Sequence, residues 1–97
     1  MSKEEFCIMN DNPPMWRNHR EEGLVRHEVF FGRNRQKSIE DGLVVFLTPE
    51  MHNGSEYGVH FNPTFDRDLK REGQRRWQEV YNKSSEEFLE RYKKNYL

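Results

Sequence analysis

The chain has 97 residues, enough for one small domain with a modest core. A formal net charge of −1 excludes a globally basic nucleic-acid binder, and a single cysteine, Cys7, excludes an internal disulfide and points to a reducing compartment. Hydrophobic residues make up 33% and charged ones 34%, alanine is absent, and seven Phe, four Tyr and two Trp carry much of the apolar content.

Residues 1–23 read as a polar N-terminal segment packed on the core of a domain spanning 24–97. Within it Phe6-Cys7-Ile8-Met9 has the character of a short strand or turn, and Asn10-Asp11-Asn12-Pro13-Pro14 that of a loop. Met15 and Trp16 are expected to dock on the core, and His19 lies in a polar stretch that suits the surface. Residues 24–31 are strand-like, with Val25, Val29, Phe30 and Phe31 as β-favouring members, and Gly32 ends the run. A polar crossing over 33–41 follows, with a helical turn expected from Ser38. The run Leu43-Val44-Val45-Phe46-Leu47 is too short for a helix and reads as a buried strand.

Pro49 either stops that strand or opens a helical turn, and Gly54 and Gly58 punctuate a loop around His52 and His60. Beyond it the chain turns helical. Asn62 or Thr64 can cap, and Phe65, Leu69, Trp77, Val80 and Tyr81 recur on one side. Gly73 on that face weakens the helix or lets another element approach closely. Asn82-Lys83 breaks the helix, and Ser84 with Glu87 forms a capping box for a last helix bearing Phe88, Leu89 and Tyr92. The fold class is α+β. No apolar run approaches a membrane span and the opening residues lack a signal peptide's hydrophobic segment, so a cytoplasmic protein is expected.

Three of the four histidines, His27, His52 and His60, flank the hairpin and can converge on one divalent metal ion. Singly, each also fits a plainer role: a satisfied strand residue for His27, a loop or capping residue for the other two. Phosphodiester cleavage needs a metal to stabilise developing charge and a base to activate water, and neutral imidazoles suit both tasks. Arg33, Arg35 and Lys37 form a basic group with no acid between them, suited to phosphates or to plain solvation. A second basic group, Arg67, Lys70, Arg71, Arg75 and Arg76, is diluted by Asp66, Asp68 and Glu72. Phe30 and Phe31 are expected in the core, and Trp77 and Tyr81 in helix packing.

The run RHEVFFGRNRQKS, then GL-V-LTPE-HN, then GVHFN, and the closing KNYL resemble phage-type HNH nucleases of the His-Me finger group. The likeness is to small HNH nucleases of phage recombination modules, akin to RecA-dependent nucleases, and it spans residues 24–97. It implies a small ββα-metal core with C-terminal helices and a metal-dependent DNA endonuclease of the phage recombination or repair type. One divalent ion (Zn, Mg, Mn or Ni) would be held by His27, His52 and His60. His52 falls at the start of the family's metal-binding helix, in a segment like L-C-P-x-x-H where Thr48 replaces the common Cys. Gly42 stands near the slot of the family's Asn. His27-Glu28 stands where many relatives have two adjacent histidines. Either Glu28 is the base with His27 on the metal, or His27 is the base with Arg26 in the ligand slot. The first is favoured, because a cation cannot ligate. Arg33, Arg35 and Lys37 would then bind nucleic acid beside the cleft. The implied partners are DNA and a recombinase filament or other recombination protein, in the cytoplasm of a bacterial host carrying the phage or prophage. The alternatives are a non-catalytic DNA- or recombination-protein-binding module on the same scaffold, and an interaction protein without metal.

Overall fold

The computed structural model describes residues 6–53 and 62–97, and His60 lies outside them. Along the described chain come strand β1 (Val25–Glu28), a 3₁₀ turn (Gly32–Asn34), helix α1 (Arg35–Glu40) and strand β2 (Val44–Leu47). Helices α2 (Pro49–Asn53), α3 (Pro63–Tyr81) and α4 (Ser85–Tyr92) complete it. The chain is α+β, as its pattern predicts.

β1 and β2 pair antiparallel, with Val25 opposite Leu47, Arg26 opposite Phe46, His27 opposite Val45 and Glu28 opposite Val44. Side chains alternate between the two faces of a strand. Val25, His27, Val45 and Leu47 therefore share one face, and Arg26, Glu28, Val44 and Phe46 the other. Helix α2 packs against both strands. The turn of the hairpin is longer than the polar crossing suggests. The helix within it starts at Arg35 rather than Ser38, and Asn34 at its cap makes no side-chain capping bond, so no local signal marks that start. Ser38 is instead fully buried, accepting from the Phe30 amide at 3.2 Å and donating to the Leu43 carbonyl, which clamps the turn to both strand ends.

The N-terminal segment contributes to the core through Ile8, Met9 and Trp16, whereas Met15 is exposed. It covers the free edge of β2: Arg17 exchanges backbone hydrogen bonds with Phe46 at 3.0 and 2.9 Å, and Cys7 Sγ donates to the Val44 carbonyl at 3.0 Å. Phe6 to Met9 forms no strand. The Ile8 amide donates to the Gly42 carbonyl, and Gly42 takes φ +76° where a Cβ would meet Ile8 and Phe6 at 3.0 Å. Both constraints call for glycine at this turn.

α3 starts as its sequence predicts, with the Asn62 side chain accepting from the Phe65 amide and Pro63 in the first turn. Phe65, Leu69, Gly73, Gln74 and Trp77 are its buried residues. A Cβ on Gly73 would sit 3.0 Å from Val29 and 3.1 Å from Phe30, so this is the close approach that the glycine permits. α4 has the full capping box of Ser84 and Glu87. Phe88 and Tyr92 stack at 4.6 Å on the buried side, against Phe30 and Trp77. Val80, Leu89 and Phe31, all expected inside, are 40%, 46% and 38% exposed. The first two sit at the rim of helices whose cores are supplied by larger rings.

Candidate functional site

His27 and His52 come together although 25 positions apart in the chain. His27 sits on the inner face of β1 with 2% of its surface exposed. His52 is on α2, not in a loop as the glycine spacing suggested. Pro49 opens this helix, and the Met51 amide donates to Thr48 Oγ1 at 3.2 Å while the His52 amide donates to the Thr48 carbonyl. Thr48 is thus the capping residue of α2. The two rings lie 5.4 Å apart, centre to centre, at 66°.

A metal about 2.0–2.1 Å from one nitrogen of each ring lies about 3 Å from each ring centre, and a near-tetrahedral angle then sets the centres roughly 5 Å apart. The observed spacing fits two imidazoles on one ion. Among the described residues no Asp, Glu, Cys or further His joins the pair to make a group of three. The third donor expected from the sequence, His60, lies outside the described residues.

Glu28 stands apart from the imidazoles. Strand alternation turns it to the opposite face, where Oε2 accepts from Arg26 Nε at 3.1 Å and Oε1 from Arg35 Nε at 2.9 Å. Both carboxylate oxygens are engaged, and only 14% of the side chain is exposed. The acid-free basic group divides in the same way. Arg33 is exposed, Arg35 is tied to Glu28, and Lys37 Nζ donates to the Arg91 carbonyl at the end of α4 at 2.7 Å.

Beside the imidazoles stands Phe31, its ring centre 5.6 Å from that of His27. The Lys70 ammonium lies 4.3 Å above the Phe31 ring, a cation–π contact, and bridges to Asp66 at 2.9 Å. A half-exposed aromatic carrying a lysine is not a core residue. Nothing local in the run FF separates Phe31 from the buried Phe30. Strand alternation does not do so either, since continued past β1 it would put Phe31 on the face of buried His27 and Val29.

A second polar cluster was not legible in the sequence. Asp41, at the end of α1, accepts from Trp77 Nε1 at 2.9 Å, Tyr92 Oη at 2.7 Å and Arg91 Nε at 2.6 Å. Tyr81 Oη donates to the Asp41 carbonyl at 3.0 Å. Burial, then the hydrogen bond and the charge of Asp41, push the Tyr92 phenol far above its usual range. This cluster ties the hairpin turn to α3 and α4 and holds no nucleophile.

No family model, curated protein or solved structure matches the chain. What the fold and the site define is a class by architecture: a small α+β protein with an imidazole pair between a hairpin and a short helix. Among the described residues no helix is long and apolar enough to cross a membrane.

Proposed function

We propose that the chain is a metal-dependent DNA endonuclease, with His27 and His52 holding the divalent ion and His60 as the third donor read from the sequence. The observation that carries this reading is the 5.4 Å imidazole pair set between the hairpin and α2. When bound, the ion would supply Lewis-acid stabilisation of phosphate charge and lower the pKa of a water molecule toward neutrality.

The chain's own residues do the rest. β1 fixes His27 by burial, so its ring has little rotational freedom to lose on binding. The Thr48 cap and Pro49 fix the start of α2 and with it the bearing of His52. Phe31 shields one side of the pair from bulk water, which strengthens electrostatic interactions there. Glu28 positions Arg26 and Arg35 rather than accepting the water's proton, because both its oxygens are taken and it faces away from the pair. The same engagement of Glu28 favours the second reading, a DNA-binding module without cleavage.

Zinc or nickel should raise the melting temperature of the wild-type protein, and the rise should vanish in chelator because metal binding adds to the folded state alone. His52→Ala should lose that rise while keeping its melting temperature in chelator. An equal metal-dependent rise in His52→Ala would remove the imidazole pair from the site. Glu28→Gln separates the two assignments of its role. Retained cleavage, within about threefold, fits a positioning residue, whereas a loss of roughly 10²–10⁴-fold with a changed pH profile marks a general base.

A further inference from the structure

A cationic cleft is linked to His27 through Lys70 and Phe31, and is built from residues that the catalytic reading does not use. It is a cavity of about 270 Å³ lined by Asp66, Arg67, Lys70, Lys94, Asn95 and Tyr96. Three cations face one carboxylate in it, although the chain as a whole is slightly acidic. Among the described residues Asp66 pairs with Lys70 alone, at 2.9 Å. Arg67 and Lys94 are exposed and make no ion pair among the described residues. The larger cavity, about 650 Å³, is less one-sided: Asp41, Glu87 and Glu90 there face Lys37, Lys83, Arg91 and Lys93, and two of the pairs, Arg91–Asp41 and Lys83–Glu87, already meet.

The walls of the smaller cleft are held in place. Gln74, fully buried on α3, donates to Asn95 Oδ1 at 2.7 Å and accepts from the Tyr96 amide at 2.7 Å. Those bonds pin the segment after α4 against α3. The Tyr96 ring packs on Phe30 at 5.4 Å and carries two ammonium groups, Lys94 at 5.1 Å and Lys70 at 5.9 Å. Charges fixed over an aromatic ring lose less freedom on meeting an anion than charges on free side chains do.

Position decides what anion. From His27 to Phe31 is 5.6 Å and from Phe31 to the Lys70 ammonium 4.3 Å, so the ammonium lies within about one or two phosphate spacings of the His27 ring along a strand. We infer that Arg67, Lys70 and Lys94 bind the sugar-phosphate backbone of a DNA strand next to the imidazole pair. The naming of DNA rests on the endonuclease reading. The cleft takes over the role expected of Arg33, Arg35 and Lys37, of which Arg35 and Lys37 are tied into the protein itself. Phosphate contacts position a strand without reading its bases, so this contact should be indifferent to sequence.

The test is binding of a fluorescent DNA oligonucleotide over a salt series, followed by anisotropy. Arg67→Gln with Lys94→Gln removes two exposed charges and should leave the fold intact. Arg75→Gln with Lys83→Gln removes the same charge elsewhere on the surface. The cleft variant should bind about tenfold or more weakly at 0.1 M salt and flatten the slope of log K against log salt by roughly 1.4–1.8. The control pair should stay near wild type, and the cleft variant should keep the wild-type metal-dependent rise in melting temperature.

Equal losses in the two pairs, or an unchanged slope in the cleft variant, overturn the proposal, as does a wild type that binds no DNA. Competition by millimolar inorganic phosphate as effective as that by an oligonucleotide would make this a free-phosphate site and overturn the strand reading. A wild type that binds DNA through the cleft but cuts it with no metal supports this inference and removes the endonuclease reading alone.

Discussion

Asp41 gathers three side-chain donors at the end of α1. Its carboxylate, 14% exposed, receives Trp77, Tyr92 and Arg91 together. Asp41→Ala should cost about 2–4 kcal/mol, since it strands the Trp77 indole and takes the nearest acceptor from Tyr92 and Arg91, leaving them the Lys37 carbonyl and Glu40. Urea unfolding with an unchanged slope checks it. Tyr92 gives the same cluster a pH signature. Its folded pKa is raised while the unfolded chain keeps a value near 10, so the stability is fully present below about pH 10. As pH rises further the unfolded state loses a proton that the folded state keeps, and stability falls. Tyr92→Phe should flatten that alkaline decline; a decline as steep as wild type's would assign it to other groups. Cys7 follows a similar rule at its own site. Burial pushes its thiol up, and the thiol donates to Val44, so alkylation at neutral pH should be slow until the protein unfolds.

The elements differ in how openly the sequence announces them. β2 is a continuous apolar run, and α4 opens on a capping box whose two partners lie three positions apart, so both can be read locally. α1 cannot be, because its start is a 3₁₀ turn without a side-chain cap. Val80 and Leu89 illustrate the limit of helical spacing: it gives the side of a helix but not how far the neighbouring rings extend over it. Gly73 was legible as a choice between weakness and close packing, and the packing of Val29 and Phe30 against it decides for the second. Gly73→Ala should therefore destabilise, by about 1–3 kcal/mol of overpacking less the ~1 kcal/mol gained in helix propensity. A variant more stable than wild type would show that β1's end yields easily to the added methyl.

At the scale of the whole molecule, the hairpin, α2 and the α3–α4 pair bring together residues far apart in the chain. The histidines could be picked out as candidates by type and by their place around the hairpin. That His27 meets His52 on one face, and that Glu28 turns away to two arginines, depends on strand phase and on the placement of α2. The cleft at Lys70 and Lys94 was hidden further, because it joins the first turns of α3 to the segment after α4 and its basic residues are diluted by acids in sequence. The measurement that bears most directly on the imidazole pair is nicking of supercoiled plasmid with Mg, Mn, Ni or Zn added singly, wild type beside His52→Ala at equal folded concentration. Nicking by the wild type with at least one of these metals, abolished by chelator and reduced by 10²-fold or more in His52→Ala, is the expected result. Equal nicking by the two proteins, or none by the wild type with any metal, would contradict a catalytic ion held between His27 and His52.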